Sequence, residues 1–245
     1  MNIIKLNAID STNLYLKKLA KEMKLENYTV AVARHQTAGR GQMGTSWVSE
    51  SNKNLTFSLL CRFNNLKVEG QFYISMAVAL AVIDVLKKNV KNSLHIKWPN
   101  DILADGYKIS GILIESVLKK SFVSQSIIGI GLNVNQQIFP TNIGKVSSLK
   151  LLSGTEFKTD ELLIDLIKTL TLFLEYVNCQ KYNELSKLYY KNLYKFNEPA
   201  MFEDAKGIQF LGKITGVSQD GRLVVAFKNK TSRKFNLKEI KFVGS

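Results

Sequence analysis

Cysteine and histidine are scarce in this chain, and their scarcity excludes several classes of protein. Only Cys61 and Cys179 occur among 245 residues, which is too few for the disulfide framework of a small secreted domain. We therefore expect a reducing, cytoplasmic setting. The two histidines, His35 and His95, are far apart, and neither has a cysteine or carboxylate at metal-ligand spacing. No serine lies in a nucleophile-elbow pattern, so a covalent nucleophile is not indicated.

Long apolar runs are also lacking where export or membrane insertion would require them. Residues 1–10 contain no basic start followed by a long apolar segment, so we expect no signal peptide. The apolar stretch 162–177 contains Asp165, Lys168 and Glu175, which makes it too polar and too short to span a bilayer. The sequence therefore predicts no membrane partner.

Acidic residues are few relative to basic ones, and arginine is rare among the latter. The chain has 34 Lys and Arg residues against 20 Asp and Glu, a net charge of +14. Arginine occurs only at positions 34, 40, 62, 222 and 233. Because base reading and bidentate phosphate capture favour arginine, and the lysines form no basic arm, we expect no DNA partner. We interpret the charge as a solubilising surface that also attracts an acidic protein.

The hydrophobic pattern predicts an α+β protein of one or two domains. A hydrophobic content of 45% is enough for a sizeable core. Alternating or apolar runs predict strands at 3–7, 28–34, 54–63, 94–98 and 122–133, and a hairpin over 102–115 that turns at Asp105-Gly106. Helical spacing predicts helices at 12–24, 71–90, 159–177 and 184–195. Residues 136–154 have weak periodicity and are predicted to form a mobile connection.

The predicted secondary structure changes at Asn197-Glu198-Pro199, from long helices to short strands. Short strands are predicted beyond it at 209–215, 223–227 and 232–236, separated by tight turns. This pattern is typical of a small closed β-module. We therefore predict two domains, residues 1–196 and 197–245.

A glycine-rich loop, Gly39-Arg40-Gly41-Gln42-Met43-Gly44, fits G-x-G-x-x-G. A dinucleotide fingerprint needs a helix to open at these glycines, and a P-loop needs lysine where Thr45 stands, so both readings are rejected. The glycines instead permit backbone N–H groups to curl around an anion. Arg40 could grip a carboxylate or phosphate, and Trp47 could clamp the loop over a ligand. An ordinary hairpin turn with a surface arginine is the alternative.

Two further polar clusters interrupt apolar strands, where unpaired polar atoms are unfavourable. The first is Lys97-Trp98-Pro99-Asn100-Asp101 followed by Lys108 and Gly111. A compact ammonium at Lys108 suits a phosphate oxygen, and Gly111 permits close approach of a ligand. The second is Gly129–Asn133, whose Asn133 suits an adenine edge. A solvated lysine, a turn at 100–101 and a satisfied strand-end asparagine are the alternatives.

Taken in series, these motifs resemble those of biotin protein ligases. Ser11-Thr12-Asn13, the glycine loop, the 97–113 cluster and the 129–133 segment agree with that family in order and spacing. The part after Pro199 is similar to its SH3-like C-terminal domain. The resemblance implies a mixed β-sheet catalytic domain with packed helices, of the class II synthetase or biotin–lipoate ligase type, plus a small SH3-like barrel. It also implies ATP-dependent formation of biotinyl-5′-AMP and transfer of biotin to a lysine of a biotin carboxyl carrier domain.

The resemblance assigns roles to matching positions of this sequence. The implied biotin contacts are Ser11, Thr12, Asn13, Gln36, Gly39, Arg40, Gly41, Trp47, Lys108 and Gly111. The implied ATP contacts are Arg40, Gly44, Asn100, Lys108 and Asn133. Lys108, Arg40 and Asp101 are the implied catalytic residues. Mg²⁺ is expected to arrive with the ATP phosphates, with Asp101 as a candidate ligand and no firmly assigned metal site.

Some positions depart from the family pattern. Gln42, Met43 and Thr45 stand where relatives often carry further arginines, so we expect other lysines or the backbone to retain the adenylate. Residues 136–149 contain no tryptophan to cover adenine, which leaves Phe139 as a candidate lid. The chain starts close to its first predicted strand, so we expect the short form without an N-terminal DNA-binding domain and without a repressor role. A homodimer is left open.

Three other functions compete with this one. A lipoate ligase or octanoyl transferase shares the fold and the acyl chemistry. A nucleic-acid-binding protein is suggested by a pI near 9.6, and would show steep salt dependence. A sensor that binds biotin without transferring it is the third.

Overall fold

The computed structural model describes residues 2–141 and 143–244 and begins with a seven-stranded sheet. Its spatial order is β1-β2-β3-β7-β6-β5-β4. The strands are β1 Ile3–Ile9, β2 Val30–Gln36, β3 Leu55–Lys67, β4 Leu94–Lys97, β5 Asp101–Ala104, β6 Tyr107–Lys119 and β7 Phe122–Leu132. β1 and β2 are parallel and every other neighbouring pair is antiparallel, which confirms the predicted mixed sheet.

Helices cover both faces of this sheet. They are α1 Thr12–Glu22, α2 Phe72–Asn89, α3 Leu149–Ser153, α4 Thr159–Asn178 and α5 Tyr182–Asn192. Because successive strand residues point to opposite faces, Leu60 and Ile127 pack with Leu16 of α1, whereas Leu59 and Ile128 belong to the large core on the other side. The N-terminus of α1 is thereby held over the middle of the sheet.

The predicted helix at 71–90 is confirmed as α2, which is buried along most of its length. With the preceding turn, Val68–Asn89 is the one helix in the described part of the chain that is long and apolar enough to cross a membrane by length and composition. In this fold 61% of that window is buried, as in a core helix. The less apolar stretch 162–177 lies within α4.

A second sheet of five antiparallel strands follows, in the order β11-β10-β9-β8-β12. The strands are β8 Pro199–Asp204, β9 Gln209–Val217, β10 Leu223–Ala226, β11 Ser232–Phe235 and β12 Ile240–Phe242. The predicted strands correspond to β9, β10 and β11, while β8 and β12 were missed. Phe202 lies at the centre, with its ring centroid 4.9 Å from that of Phe242 and 5.8 Å from that of Phe210. We call residues 197–244 the C-terminal module, and the boundary at 196/197 stays a prediction.

The C-terminal module is attached to the first sheet and to α5 through aromatic side chains. Trp98 Nε1 donates a 2.9 Å hydrogen bond to the Gly221 carbonyl. Tyr190 Oη donates to the carbonyl of Val217 at 3.2 Å and accepts from its amide at 3.2 Å. The core is continuous across the junction, so the module is packed against the first sheet on the side of the 97–101 cluster.

The prediction that residues 136–154 form a mobile connection is wrong for the second half of this segment. Residue 142, also within it, lies outside the described residues. Val146 forms a parallel bridge with Lys108, whose amide donates to the Lys145 carbonyl at 2.8 Å. Ser148 then caps α3 by accepting a hydrogen bond from the Leu151 amide. Long-range pairing therefore orders a segment whose own sequence shows no periodicity.

Candidate active site

A cavity of about 310 Å³ opens on the α1 side of the sheet and gathers most of the predicted site residues. The predicted residues that line it are Ser11, Thr12, Asn13, Gln36, Arg40, Gly41, Trp47, Asn100, Asp101, Lys108 and Gly111. Gly39, Gly44 and Asn133 are not part of the lining, and neither is the candidate lid Phe139. The cavity has an uncharged polar end at α1 and a charged end at the β5–β6 hairpin.

The uncharged end forms because β1 and β2 run parallel, so their carboxyl ends are adjacent. Ile9 is paired with Gln36 in the register, and α1 begins just after β1. The Thr12 amide donates to Gln36 Oε1 at 2.8 Å, and Thr12 Oγ1 lies 3.1 Å from the same oxygen. Ser11 and Thr12 are almost fully buried beside the helix N-terminus, whose first amides have no partner within the helix.

Asn13 lies flat on the sheet above a glycine. Ser58, Gly129 and Leu113 form one row across β3, β7 and β6. Because Gly129 has no side chain, the Asn13 amide fills the gap and contacts both neighbours of that row. Ser58 Oγ donates to Asn13 Oδ1 at 2.6 Å, and Asn13 Nδ2 donates to the Leu113 carbonyl at 3.3 Å. Asn13 Nδ2 also donates to Glu115 Oε2 at 3.1 Å. Alternating glycines in a strand were the sequence signal for this close approach.

Glu115 completes this arrangement from β6. Its carboxylate accepts from Asn13 and pairs with Lys17 of α1, whose Nζ lies 2.9 Å from Glu115 Oε1. Burial raises the pKa of Glu115, but hydrogen bonds from Lys17 and Asn13 outweigh it and hold the pKa below the ordinary value. Glu115 was not among the predicted site residues, because a strand glutamate reads as a solvated side chain.

The glycine loop is a hairpin. Arg40 and Ser46 form an antiparallel bridge, the Gly41 amide donates to the Thr45 carbonyl at 2.7 Å, and the Trp47 amide donates to the Gly39 carbonyl at 2.9 Å. Only a short 3₁₀ turn, Gln42–Gly44, lies at its tip, so rejection of both nucleotide fingerprints is confirmed. The Gly41 amide is used within the loop and is not free for an anion in this conformation.

Trp47 forms a wall of the cavity by packing on two glycines. A Cβ atom at Gly131 would overlap the Trp47 indole, and one at Gly111 would lie 3.1 Å from Trp47 Cζ3. Lys108 Nζ is 6.0 Å from the centre of the indole ring, within the range of a cation–π contact. The aromatic wall therefore connects the glycine loop to the charged end.

The charged end is an ion pair with a second lysine beside it. Lys108 Nζ lies 2.6 Å from Asp101 Oδ1, and Lys97 is paired with Asp101 in the β4–β5 register. Burial lowers the pKa of Lys97, Asp101 opposes this effect, and the charge of Lys108 adds to it. Lys97 does not line the cavity, whereas Arg40, Lys108 and Lys238 do, together with the single carboxylate of Asp101. This excess of positive charge suits an anionic ligand.

Asn100 and Asn133 are both committed to the backbone. Asn100 Nδ2 donates to the Ile112 carbonyl at 2.9 Å, and the Ile112 amide returns a bond to the Asn100 carbonyl at 3.0 Å. Asn133 is 2% exposed, and its Nδ2 donates to the Ser147 carbonyl at 3.0 Å. Among the described residues Asn133 Oδ1 is buried without a partner, so this oxygen is the one group of Asn133 that could still accept from a ligand.

Two lining residues come from the C-terminal module and were missed. Leu237 and Lys238 border the cavity, and Lys238 Nζ donates to the Met43 carbonyl of the glycine loop at 3.0 Å. No local sequence signal could reveal a contact between positions 195 residues apart. Gln42, Met43, Thr45, Ser46, Phe57, Gly129 and Gly131 also line the cavity. Over residues 2–141 and 143–244, no group of three His, Cys, Asp or Glu residues could hold a metal.

Comparisons with known proteins point to one family. Residues 6–133 match the model of the biotin/lipoate A/B protein ligase family. The bifunctional ligase/repressor BirA of Bacillus spizizenii is 36% identical over 156 residues, which cover 62% of this chain and 47% of that protein. A biotin–[acetyl-CoA-carboxylase] ligase of Mycobacterium tuberculosis is 37% identical over 110 residues, covering 44% of this chain and 40% of that protein.

A solved structure matches over the full length. The biotin protein ligase from Aquifex aeolicus, in complex with biotin and ATP, has a TM-score of 0.79 and 27% identity, and the match covers 100% of this chain and 99% of that one. The chain thus spans less than half the length of the two curated relatives above, and nearly all of this structural neighbour.

Proposed function

This chain belongs to the biotin/lipoate A/B protein ligase family, and on that premise we propose that it is an ATP-dependent biotin protein ligase. In the first step, a biotin carboxylate oxygen attacks the α-phosphorus of ATP, which forms biotinyl-5′-AMP and releases pyrophosphate. In the second, the ε-amine of a lysine on a biotin carboxyl carrier domain attacks the activated carbonyl and releases AMP.

One observation carries this proposal: the cavity has an uncharged hydrogen-bonding end and a cationic end. The ureido ring of biotin has both donors and an acceptor, and Ser11, Thr12 and Gln36 offer matching groups at the uncharged end. The dithiolane ring of lipoate has no hydrogen-bond donor, so this end favours biotin over lipoate. Asn13 supports the same end, and Gly111 keeps the channel open toward the charged end.

The charged end suits the meeting of two anions. Arg40 would hold the carboxylate of biotin, and Lys108 would contact that carboxylate and the α-phosphate. These charges counter the repulsion between the two substrates and the charge that develops in the transition state. Asp101 positions the Lys108 ammonium at 2.6 Å. Asn100 holds the β4–β5 turn in place, and no covalent nucleophile is required.

The remaining predicted contacts concern the nucleotide and the loop. Asn133 Oδ1 is a buried acceptor without a partner in the described structure and would accept from the exocyclic amine of adenine. Gly39 and Gly44 shape the glycine loop, and Gly44 has a φ of 81°, which favours glycine. Trp47 would cover the linkage between biotin and the phosphate.

Magnesium would be held mainly by the phosphates of ATP and not by a set of protein ligands. The charged end offers the single carboxylate of Asp101, already paired with Lys108, which fits the usual binding of Mg²⁺ by few carboxylates plus substrate phosphates. When bound, the ion would neutralise phosphate charge.

The proposal extends to partners and location. The acceptor is the lysine of a carrier domain of a carboxylase such as acetyl-CoA carboxylase, and the basic surface of this chain attracts its acidic face. We place the reaction in the cytoplasm, without DNA or membrane as partners. Sedimentation velocity would test whether the chain forms a homodimer.

Incubation with biotin, MgATP and a carrier domain, followed by intact mass measurement, tests the proposal. We expect the carrier domain to gain one biotinyl group. We also expect biotin to support ATP–pyrophosphate exchange when the carrier domain is left out. Exchange with lipoate in place of biotin would identify a lipoate ligase instead. Biotin binding without exchange would identify a sensor, and salt-sensitive nucleic-acid binding without exchange would identify a nucleic-acid-binding protein.

A further inference from the structure

Behind the uncharged end of the cavity, five side chains form a continuous chain of polar contacts. Lys17 Nζ donates to Glu115 at 2.9 Å, and Asn13 Nδ2 donates to the same carboxylate at 3.1 Å. Ser58 Oγ lies 2.6 Å from Asn13 Oδ1 and 2.7 Å from Thr12 Oγ1. Ser58 is fully buried, and Asn13 and Thr12 are each 3% exposed.

The chemistry of the first members fixes the direction of the whole chain. An ammonium can only donate and a carboxylate can only accept. Glu115 therefore requires that Asn13 present its NH₂ group, so Asn13 Oδ1 must face Ser58. A serine hydroxyl has one proton, and the nearer acceptor, Asn13 Oδ1, takes it. The Leu113 carbonyl also accepts from Asn13 Nδ2, at 3.3 Å, so the shorter, charged contact with Glu115 reinforces the orientation that this longer contact already favours.

The direction reaches the cavity through Thr12. Because the Ser58 proton is committed to Asn13, the 2.7 Å contact between Ser58 Oγ and Thr12 Oγ1 needs the Thr12 proton. The Thr12 hydroxyl therefore donates to Ser58 and presents only lone pairs to the cavity. The Thr12 amide donates to Gln36 Oε1 at 2.8 Å. The Gln36 carbonyl is thus fixed at Thr12, and the donors and acceptors that face a ligand have one defined arrangement.

We propose that Glu115 is a positioning residue that sets hydrogen-bond polarity, and with it ligand specificity, at the uncharged end of the cavity. It acts through Asn13, Ser58 and Thr12. This inference rests on the proposed function, because it takes the ureido ring of biotin as the group received there. Lys17 holds the carboxylate in place from the next turn of α1, four residues beyond Asn13.

The chain offers a matched control for a simple ion pair. Glu203 lies 2.8 Å from Lys241, and its side chain is 23% exposed. The side chain of Glu115 is 22% exposed, and its distance to Lys17 is 2.9 Å. Glu203 and Lys241 do not line the cavity. Glu203→Gln therefore removes an equivalent ion pair without touching the polar chain.

The experiment measures KM and kcat for ATP–pyrophosphate exchange in four variants. Glu115→Gln should raise the KM for biotin about tenfold, the usual effect of losing one charged hydrogen bond, and leave the KM for ATP unchanged. Asn13→Asp should be worse, because two carboxylates then face each other. The double variant Asn13→Asp/Glu115→Gln should recover part of the loss, because the new amide can donate to the new carboxylate and Ser58 keeps its acceptor, while the Leu113 carbonyl stays without the donor it has in wild type. Glu203→Gln should behave as wild type.

Thermal unfolding of each variant separates positioning from folding. Equal biotin KM values for Glu115→Gln and Glu203→Gln, or a double variant no better than Asn13→Asp, would overturn the inference. If Glu115→Gln unfolds too easily, Lys17→Met provides the same readout, with a smaller rise in the biotin KM expected and an unchanged KM overturning the inference. A wild-type chain without biotin-dependent exchange would instead overturn the proposed function itself.

Discussion

The side-chain amide of Asn13 occupies the space that a Cβ atom on Gly129 would need. This relationship joins the first turn of α1 to the middle of β7, and it brings Asn13 within reach of Ser58 on β3 and Glu115 on β6. A single missing methyl group thus allows three strands and a helix to share one polar site.

Gly129→Ala should therefore displace Asn13 and weaken biotin binding by roughly 10²-fold, with a loss of about 1–3 kcal/mol in unfolding free energy from overpacking. Calorimetric titration with biotin and chemical denaturation measure the two effects. Gly216→Ala is the control, because a Cβ atom there meets only Tyr190 Oη at 3.6 Å. Equal biotin affinities in the two variants would contradict the assigned role of Gly129.

Lys108→Ala should lower the rate of ATP–pyrophosphate exchange about 10²–10³-fold, the usual effect of deleting one transition-state charge donor. It also leaves Asp101 without its cation at the charged end. Lys88→Ala removes a lysine whose ion pair with Asp84 is exposed and away from the cavity, so it should not change the rate. An undiminished exchange rate in Lys108→Ala would exclude the catalytic role.

Arg40→Ala should weaken biotin retention more than ATP binding, because Arg40 is assigned to the carboxylate of biotin. We expect a rise of about tenfold in the dissociation constant for biotin, the loss of one charge-assisted contact. Separate titrations with biotin and with a non-hydrolysable ATP analogue measure this. Equal losses for both ligands would show that Arg40 serves the phosphates instead.

Acid should remove the contribution of Glu115 to stability. Its pKa in the folded chain lies below the ordinary value of 4.5, so the unfolded chain binds a proton more readily than the folded one. The stabilisation is fully present above pH 4.5 and is lost as the pH falls through the folded pKa. The difference in unfolding free energy between wild type and Glu115→Gln should shrink in that window, as denaturation at several pH values would show. A constant difference would mean that the ion pair does not shift this pKa.

Local sequence signals identified most of the first sheet because they depend on neighbouring residues alone. Asp105-Gly106 marked the β5–β6 turn, and both residues have positive φ values. Alternation in residues 54–63 predicted most of β3. The three residues of β12 gave no such signal, since Ile240–Phe242 is defined by its pairing with β8.

The candidate site was predictable where glycine or charge interrupts an apolar strand, and not where distant segments meet. Gly111 and Lys108 were found in this way. The role of Glu115, by contrast, depends on its hydrogen bond with Asn13, which lies 102 positions away, so no local signal predicts it. The use of the Gly41 amide inside its own hairpin depends on the path of the loop, which composition does not specify.

Through the hydrogen bond from Lys238 to the Met43 carbonyl, the C-terminal module contributes to the cavity formed on the first sheet. If the chain were cut after residue 196, the remaining part would keep its substrate-binding groups but lose the wall formed by Leu237 and Lys238. Under the proposed function, we expect such a fragment to retain biotinyl-5′-AMP less well, because Leu237 and Lys238 no longer line this side of the cavity.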